Sequence, residues 1–589
     1  MSSSLKQKLD VTVRGYALLS AALFFLTGIV YLVLGRWPVT HQDFWRIYDT
    51  CLHRSWLYST ALKYNGHSHF FPAQLWLADL RWLSGNQDFL FAAGLLFQLI
   101  ATAVLVAVIW RDISIERTTR LVATMVVIVC AFWMGRASMT ATGGFNCCYS
   151  LVLSCAALSF YFLSSVARGA RSEASFLAVI IICNTVATFS FGTGLTTWPA
   201  SLFVAYCLRL RARFLFVLAL AAIVVALIFV ALPAREAGSP LAAGIQWAAP
   251  GTYLTLLHYF CRLLGSPALH LCAAWIPGNT PPRDQLALLA MSSGVGGVIF
   301  ASVVFVVKLT RRNLSAGLET IALGLITLNF TAFALITLAR ADHIRVLPEE
   351  LDAPRYLYWS SLFWVGLLLF ALAHAQKSTW LRWPALGAAL AAPVLAFPSH
   401  YREGLHWRYA RLISYQAGVS LINGIHDDKT IGILSPYPGL VYRLAKDMRA
   451  RRLDMFAAGY QEWIGRPVSA LFPAPPRSVR LRGNCIARVV QTQPLGVRIT
   501  GSIAQRGGRP PDLMLIIDSR NIIRGIAFSS ATRQWINELF YANTFGPKSI
   551  VGFVAHYDPS AQYAIRSVEK GTLSSESVPV PPASLTKSE

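Results

Sequence analysis

The chain has 589 residues, 55% of them hydrophobic and 14% charged, with a mean hydropathy of +0.49. Soluble domains carry roughly 25% charge, so the composition excludes an ordinary globular protein and points to an integral membrane protein. A net charge of +24 would suit a nucleic-acid binder, but the basic residues gather in short loops beside apolar runs, where they set orientation; nucleic acid is not an expected partner.

In chain order, about eleven runs are long and apolar enough to read as spans of roughly 20 residues. They lie near 14–36, 87–110, 119–136, 147–167, 174–192, 194–208, 214–232, 285–307, 315–339, 356–375 and 381–398. The 194–208 run is short and carries Pro199. Basic clusters at Lys6/Lys8/Arg14, Arg111/Arg117/Arg120, Arg168/Arg171, Arg209/Arg211/Arg213, Lys308/Arg311/Arg312 and Lys377/Arg382 fall at every second loop. The positive-inside rule then puts the amino terminus in the cytoplasm and everything after about residue 399 outside. The expected organisation is a polytopic α-helical membrane domain over 1–398, an extracytoplasmic α/β connector over 399–475, a β-sandwich over 476–570 and a disordered Ser/Pro-rich tail over 571–589.

The first external loop, 37–86, carries most of the chemistry. Projected at 3.6 residues per turn, residues 43–57 place Phe44, Trp45, Tyr48, Leu52, Ser55 and Trp56 on one side and Arg46, Asp49 and His53 on the other. That is the pattern of an amphipathic helix lying in the membrane interface, aromatic side down. Asp43, Asp49 and Asp79 cluster in this loop, whereas the spans carry no carboxylate near their centres. Ion-coupled transporters keep an ionisable group at mid-membrane, so the placement favours a surface reaction in which a carboxylate, Asp43 foremost, acts as general base. His67 and His69 form a His-x-His pair. They suit hydrogen bonding to a sugar or phosphate, or a divalent cation with Asp79 or Asp43 as third ligand; no other cofactor is indicated.

Further along, the Gly192 to Pro199 segment joins two runs on the outer side. Its glycines permit close backbone approach, but it lacks the strand-turn-helix context of a nucleotide loop. Arg340 ends one span, Arg355 with Tyr356 begins the next, and Arg345 lies between them. Guanidinium forks at headgroup level suit a phosphate, with Arg136 as a third candidate beyond span three. Ten cysteines are present, several within spans. Cys261 and Cys272 could pair in an external loop, but a plain role as small apolar side chains is the favoured reading. Past the spans, Trp407 to Leu421 reads as helix, Thr430 to Leu434 as strand and Leu440 to Arg452 as a basic helix. Six short strands follow between Ser478 and Val568.

These features together resemble the GT-C fold of membrane glycosyltransferases, including protein mannosyltransferases, the lipid A aminoarabinose transferase and arabinofuranosyltransferases. The resemblance rests on Asp43 after the first span, the helix that follows, His67 to Asp79, the Gly192 to Pro199 turn, Leu264-Gly265-Ser266-Pro267, and Arg340 with Arg355-Tyr356. It implies an inverting transferase at the outer face of a bacterial inner membrane. The donor would be a polyprenyl-phosphate sugar and the acceptor a saccharide, lipid or protein. Asp43 would be the base, with Asp49 as a second catalytic candidate, and Arg340 and Arg355 would hold the phosphate in a pocket shared with Asp43. The terminal domain resembles a carbohydrate-binding module, with Trp535, Tyr541 and Tyr557 as stacking groups or core. A flippase or exporter of lipid-linked saccharide, and a structural subunit of an envelope-assembly complex, are the rival expectations.

Overall fold

A computed structural model describes the chain apart from residues 1–2, 142–143, 145–146, 170–171, 235–248, 277–282, 376–377, 477–478, 506–510, 530–548, 570 and 585–589. Nine helices among the described residues are long and apolar enough to cross a membrane: Gln7–Gly35, Asp88–Arg111, Arg117–Ser138, Cys147–Ala167, Ala212–Ala231, Asp284–Arg311, Leu318–Val346, Pro354–Ala375 and Leu381–Ile422. The protein is therefore a multi-pass membrane protein with nine candidate spans, where the sequence suggested about eleven. The difference lies at 174–208. There Glu173–Thr188 and Thr197–Cys207 are helices of 16 and 11 residues, separated by a 3-10 turn over Gly192–Thr196. At 1.5 Å per residue neither covers a hydrocarbon core of about 30 Å. Pro199 fits the first turn of the second helix, where no amide partner is needed.

The chain forms two compact units. The first comprises Met1–Gly35, Arg54–Leu75 and Leu90–Trp407; the second comprises Arg36–His53, Trp76–Phe89 and Arg408–Glu589. The first external loop is thus divided between them, with Asp43, Asp49 and Asp79 in the second unit and His67 and His69 in the first.

Within the first unit, burial sorts the spans. In Arg117–Ser138, 89% of the apolar window is buried, against 22% in Ala212–Ala231. The former is bundle core, while the latter turns Phe216, Ile223, Leu227 and Val230 outward as a lipid-facing helix would. Helices Thr252–Ala273 and Arg283–Arg311 meet through glycine. A Cβ on Gly265 would stand 1.7 Å from the Ala290 carbonyl oxygen, and one on Gly294 would stand 1.8 Å from that of Cys261. Small residues at such contacts let membrane helices pack backbone to backbone. Gly265→Val is expected to wedge this pair apart at a cost of about 1–3 kcal/mol or more. Gly296→Ala, on Arg283–Arg311, faces open space and is expected to be neutral. Melting temperature and monodisperse yield of the purified variants check both; equal behaviour would contradict the close packing.

In the second unit, the helix after Asp43 runs Phe44–His53 and buries Phe44, Trp45, Ile47 and Tyr48. Its aromatic side packs on protein of its own unit, with Phe44 edge-on to Trp76 at 5.4 Å, and does not lie bare on lipid as the amphipathic pattern suggested. Trp56 belongs to a separate short helix, Trp56–Ala61, N-capped by Ser55. The expected strand at Thr430 to Leu434 is instead helical, Asp428–Leu434. Its β-branched residues are overruled by a turn in which the Asp427 carbonyl accepts from both the amide and the hydroxyl of Thr430. Pro438–Ala450 is the basic helix.

The terminal strands are β1 Leu481–Thr492, β2 Leu495–Gln505, β3 Leu513–Asp518, β4 Ile523–Ser529, β5 Ser549–Val554, β6 Tyr563–Glu569, β7 Thr572–Leu573 and β8 Val578–Val580. They make one antiparallel sheet in the order β1-β2-β5-β4-β3-β6-β7, with β8 also on β6. Ser584 then bridges back to Arg488, its amide donating to the Ala487 carbonyl at 3.0 Å. The sheet is nearly closed into a barrel, which covers its edges; it is not the two-sheet sandwich expected. The same contacts show that residues through Ser584 are built into the fold, so the expected disordered tail starting at 571 is corrected. Alternate residues Val497, Ile499, Met514, Ile516 and Ile565 fill the core together with Tyr557 and Tyr563, whose rings stack at 5.0 Å. Tyr557 is core. Trp535 and Tyr541 lie outside the described residues.

Candidate functional site

The first unit carries a cation beside an aromatic wall. Asn65 and Gly66, both at positive φ, make a tight turn closed by paired hydrogen bonds between Tyr64 and His67. The turn delivers the His67 ring to Phe191 at 4.3 Å. Gly192 makes room for it, since a Cβ there would sit 2.3 Å from His67 Nδ1. The close approach foreseen for this Gly-rich segment therefore serves a side chain. Tyr149 packs edge-on to Phe191 at 4.7 Å and stacks on Tyr358 at 5.4 Å. Burial, and then the neighbouring Arg340 charge, lower the His67 pKa to about 3, so the imidazole is neutral at neutral pH.

Arg340, on Leu318–Val346, is half-buried. No carboxylate among the described residues pairs with it. Arg355 differs: it is already ion-paired with Glu350 and lies over the Tyr356 ring. Arg345 is exposed and pairs with Asp342 at 3.4 Å, and Tyr356 is buried. Of the three arginines expected in this loop, Arg340 is the one with unspent charge. A guanidinium with a neutral imidazole nearby can hold an anionic oxygen by charge-assisted hydrogen bonds. Comparisons of the chain with protein-family models, curated proteins and solved structures return no match. What the site does must therefore come from its own chemistry.

His69 is buried and edge-on to His67, with ring centroids 6.1 Å apart. Among the described residues no group of three His, Cys, Asp or Glu is arranged to hold a metal ion. None of the ten cysteines is in a disulfide, Cys261 and Cys272 included. Arg136, expected at headgroup level, is fully buried under Tyr358, 4.0 Å from the ring centroid. The same unit contains an apolar groove of about 490 Å³, walled by Trp133, Leu271, Phe300, Trp364, Ala388 and Leu395 among others.

In the second unit, Asp43 is exposed at the start of Phe44–His53, its carbonyl accepting from the Ile47 amide at 3.0 Å. Asp49 is tied to His53 at 3.0 Å and to Arg443 at 3.3 Å, so the second catalytic candidate is occupied as a surface tether. Asp79 is fully buried. It accepts from the Tyr48 hydroxyl at 2.8 Å and from the Gln87 amide at 3.2 Å. Such enclosure suits a structural carboxyl better than a substrate ligand.

Asp454 escaped the sequence reading. It is buried and accepts from the Thr40 amide at 2.8 Å and the Thr40 hydroxyl at 2.6 Å, while Gln87 Nε2 donates to the same hydroxyl at 3.2 Å. No local motif marks it; its one hint is a non-glycine residue at positive φ, invisible in sequence. Burial raises Asp79 to about 6, and burial with the nearby Asp79 charge raises Asp454 to about 7, against hydrogen bonds that pull each down.

Folded-state values above the unfolded value of 3.8 mean that the native state binds the extra protons. Stability is therefore fullest below about pH 4 and is lost as pH rises through about 6 to 7. The upper bound for Asp454 is roughly 4 kcal/mol. The unfolding midpoint of this unit is expected to fall across that window. Asp454→Asn, which keeps an acceptor for Thr40, should flatten the upper part of the fall. A wild-type midpoint independent of pH, or an unchanged slope in the variant, would contradict this.

Proposed function

We propose that the protein is a glycosyltransferase of GT-C type that moves a sugar from a polyprenyl-phosphate donor to a saccharide, lipid or protein acceptor at the outer face of the membrane. The observation that carries the reading is Arg340, a half-buried guanidinium with no carboxylate partner among the described residues, beside a neutral His67 and the Tyr149/Phe191 rings. A phosphate oxygen is the ligand such a group prefers. As leaving group, polyprenyl phosphate gains charge when the glycosidic bond breaks, and a fixed cation stabilises that gain. The apolar groove offers the kind of wall an isoprenoid chain would occupy. Asp43 is the proposed general base toward the acceptor hydroxyl, its exposure leaving it accessible to a bulky acceptor. Arg355 has a secondary part, since Glu350 already neutralises it. A flippase or exporter is the second reading, supported by the same anion site and groove.

The test is a reconstituted assay with a labelled polyprenyl-phosphate sugar and envelope acceptors. Covalent transfer of label supports the proposal. Movement of the intact lipid-linked sugar between leaflets, without bond cleavage, supports the exporter.

A further inference from the structure

The outer face of the first two strands of the terminal sheet takes no part in the chemistry above. In β1, Leu481, Cys485 and Ala487 belong to the barrel core. The alternate residues Arg482, Asn484, Ile486 and Arg488 therefore point outward, and all four are exposed. Arg480, two residues ahead of Arg482, is exposed as well. Register sets short β2 side chains beside this row: Ala504 opposite Arg482, Ser502 opposite Asn484 and Thr500 opposite Ile486. The longer β1 side chains therefore stand clear of their neighbours.

The face is basic and its charge is not balanced. Neither β1 nor β2 contains an acidic residue. Among the described residues no carboxylate pairs with Arg480, Arg482 or Arg488. Asp427 is spent on Arg498 at 3.5 Å, and the Glu576 carboxylate accepts from the Leu481 amide at 3.0 Å. Six residues of strand separate Arg482 from Arg488, about 20 Å at the usual rise. A single ligand that meets both must be extended and carry more than one negative group.

The side chains between the arginines narrow the partner. A lipid surface is met with contiguous apolar area, and here Ile486 is a lone aliphatic group among guanidinium, amide and hydroxyl. Protein partners and single-stranded nucleic acids are held by aromatic anchors, and this row has none. Guanidinium forks match carboxylates in pairs, while Asn484, Ser502 and Thr500 exchange hydrogen bonds with hydroxyls. An extended chain that carries both carboxylates and many hydroxyls meets both demands.

We propose that the outward face of β1 and β2 binds an acidic polysaccharide, with Arg482 and Arg488 on its carboxylates and Asn484 on its hydroxyls. The surface is separate from Arg340 and does not depend on the transfer reading.

Full-length protein in nanodiscs of zwitterionic lipid is titrated with three polymers. These are polygalacturonate, dextran as a neutral polysaccharide, and poly-L-glutamate as an acidic chain without sugar hydroxyls. The expected result is saturable binding of polygalacturonate that weakens with added salt, little binding of dextran and weaker binding of polyglutamate. Arg482→Glu/Arg488→Glu is expected to weaken polygalacturonate binding by about tenfold or more, the scale of losing charge-assisted hydrogen bonds. The charge-matched control Lys446→Glu/Arg451→Glu, at exposed positions on and just after Pro438–Ala450, is expected to bind as the wild type does. Binding lost equally in both variants overturns the proposal. So does dextran or polyglutamate bound as tightly as polygalacturonate, or no binding by the wild type. If the doubly acidic variant does not fold, Arg482→Gln/Arg488→Gln, checked by its melting curve, decides by the same loss.

Discussion

Arg340→Ala is expected to lower kcat/KM for transfer from a polyprenyl-phosphate sugar by roughly 10²–10³-fold, the scale seen when one preorganised charge-stabilising donor is removed. The argument is one of scarcity. Arg345 is held by Asp342 and Arg355 by Glu350, so their removal subtracts charge that is already balanced. Among the described residues Arg340 has no such partner, and its field reaches both His67 and Tyr149. Part of the loss should appear in KM, because the cation also holds the ground-state phosphate, and part in kcat, because the leaving group becomes more negative. Arg340→Lys should recover some activity, since a point charge replaces a planar fork. Arg355→Ala is expected to cost much less. If Arg355→Ala proved the more damaging, Arg340 would not be the phosphate anchor. Steady-state kinetics of the reconstituted variants with a defined donor make the comparison.

Asp43→Ala is expected to reduce kcat by about 10²–10⁴-fold with little change in donor KM, the range for loss of a general base. The carboxylate is exposed at the head of Phe44–His53, and that helix is anchored independently of it. Phe44, Trp45 and Tyr48 are buried, and Asp49 and His53 pair with Arg443 and Asp447. The variant should therefore fold normally, so lost activity would not reflect lost structure. Asp49→Ala, which removes a tether to an exposed arginine, should leave kcat within a few-fold, because exposed pairs contribute little. Equal losses at the two positions would remove Asp43 from its assigned role.

Legibility from sequence followed the range of the forces involved. Spans and strands are set by local apolar runs and alternation, so Cys147–Ala167 was found end to end. What pairs with what depends on distant residues. Nothing near Asp79 announces that it is buried under Tyr48, and nothing near Asp454 announces its bonds to Thr40. Barrel closure rests on Ser584 meeting β1, a contact that a Ser/Pro-rich composition conceals. Arg136 was legible as a cation beside a span, but not as one sealed beneath a tyrosine. The Thr430 to Leu434 segment shows the converse, where strand propensity yielded to the turn at Asp427.

The most direct measurement follows the donor itself. Full-length protein in nanodiscs is incubated with a panel of polyprenyl-phosphate sugars and envelope acceptors, and free polyprenyl phosphate is quantified by mass spectrometry over a single turnover. The account predicts that the wild type releases polyprenyl phosphate from at least one donor with matching appearance of glycosylated acceptor, and that Asp43→Ala releases essentially none. Donors left intact across the panel by the wild type, or release undiminished in Asp43→Ala, would contradict it.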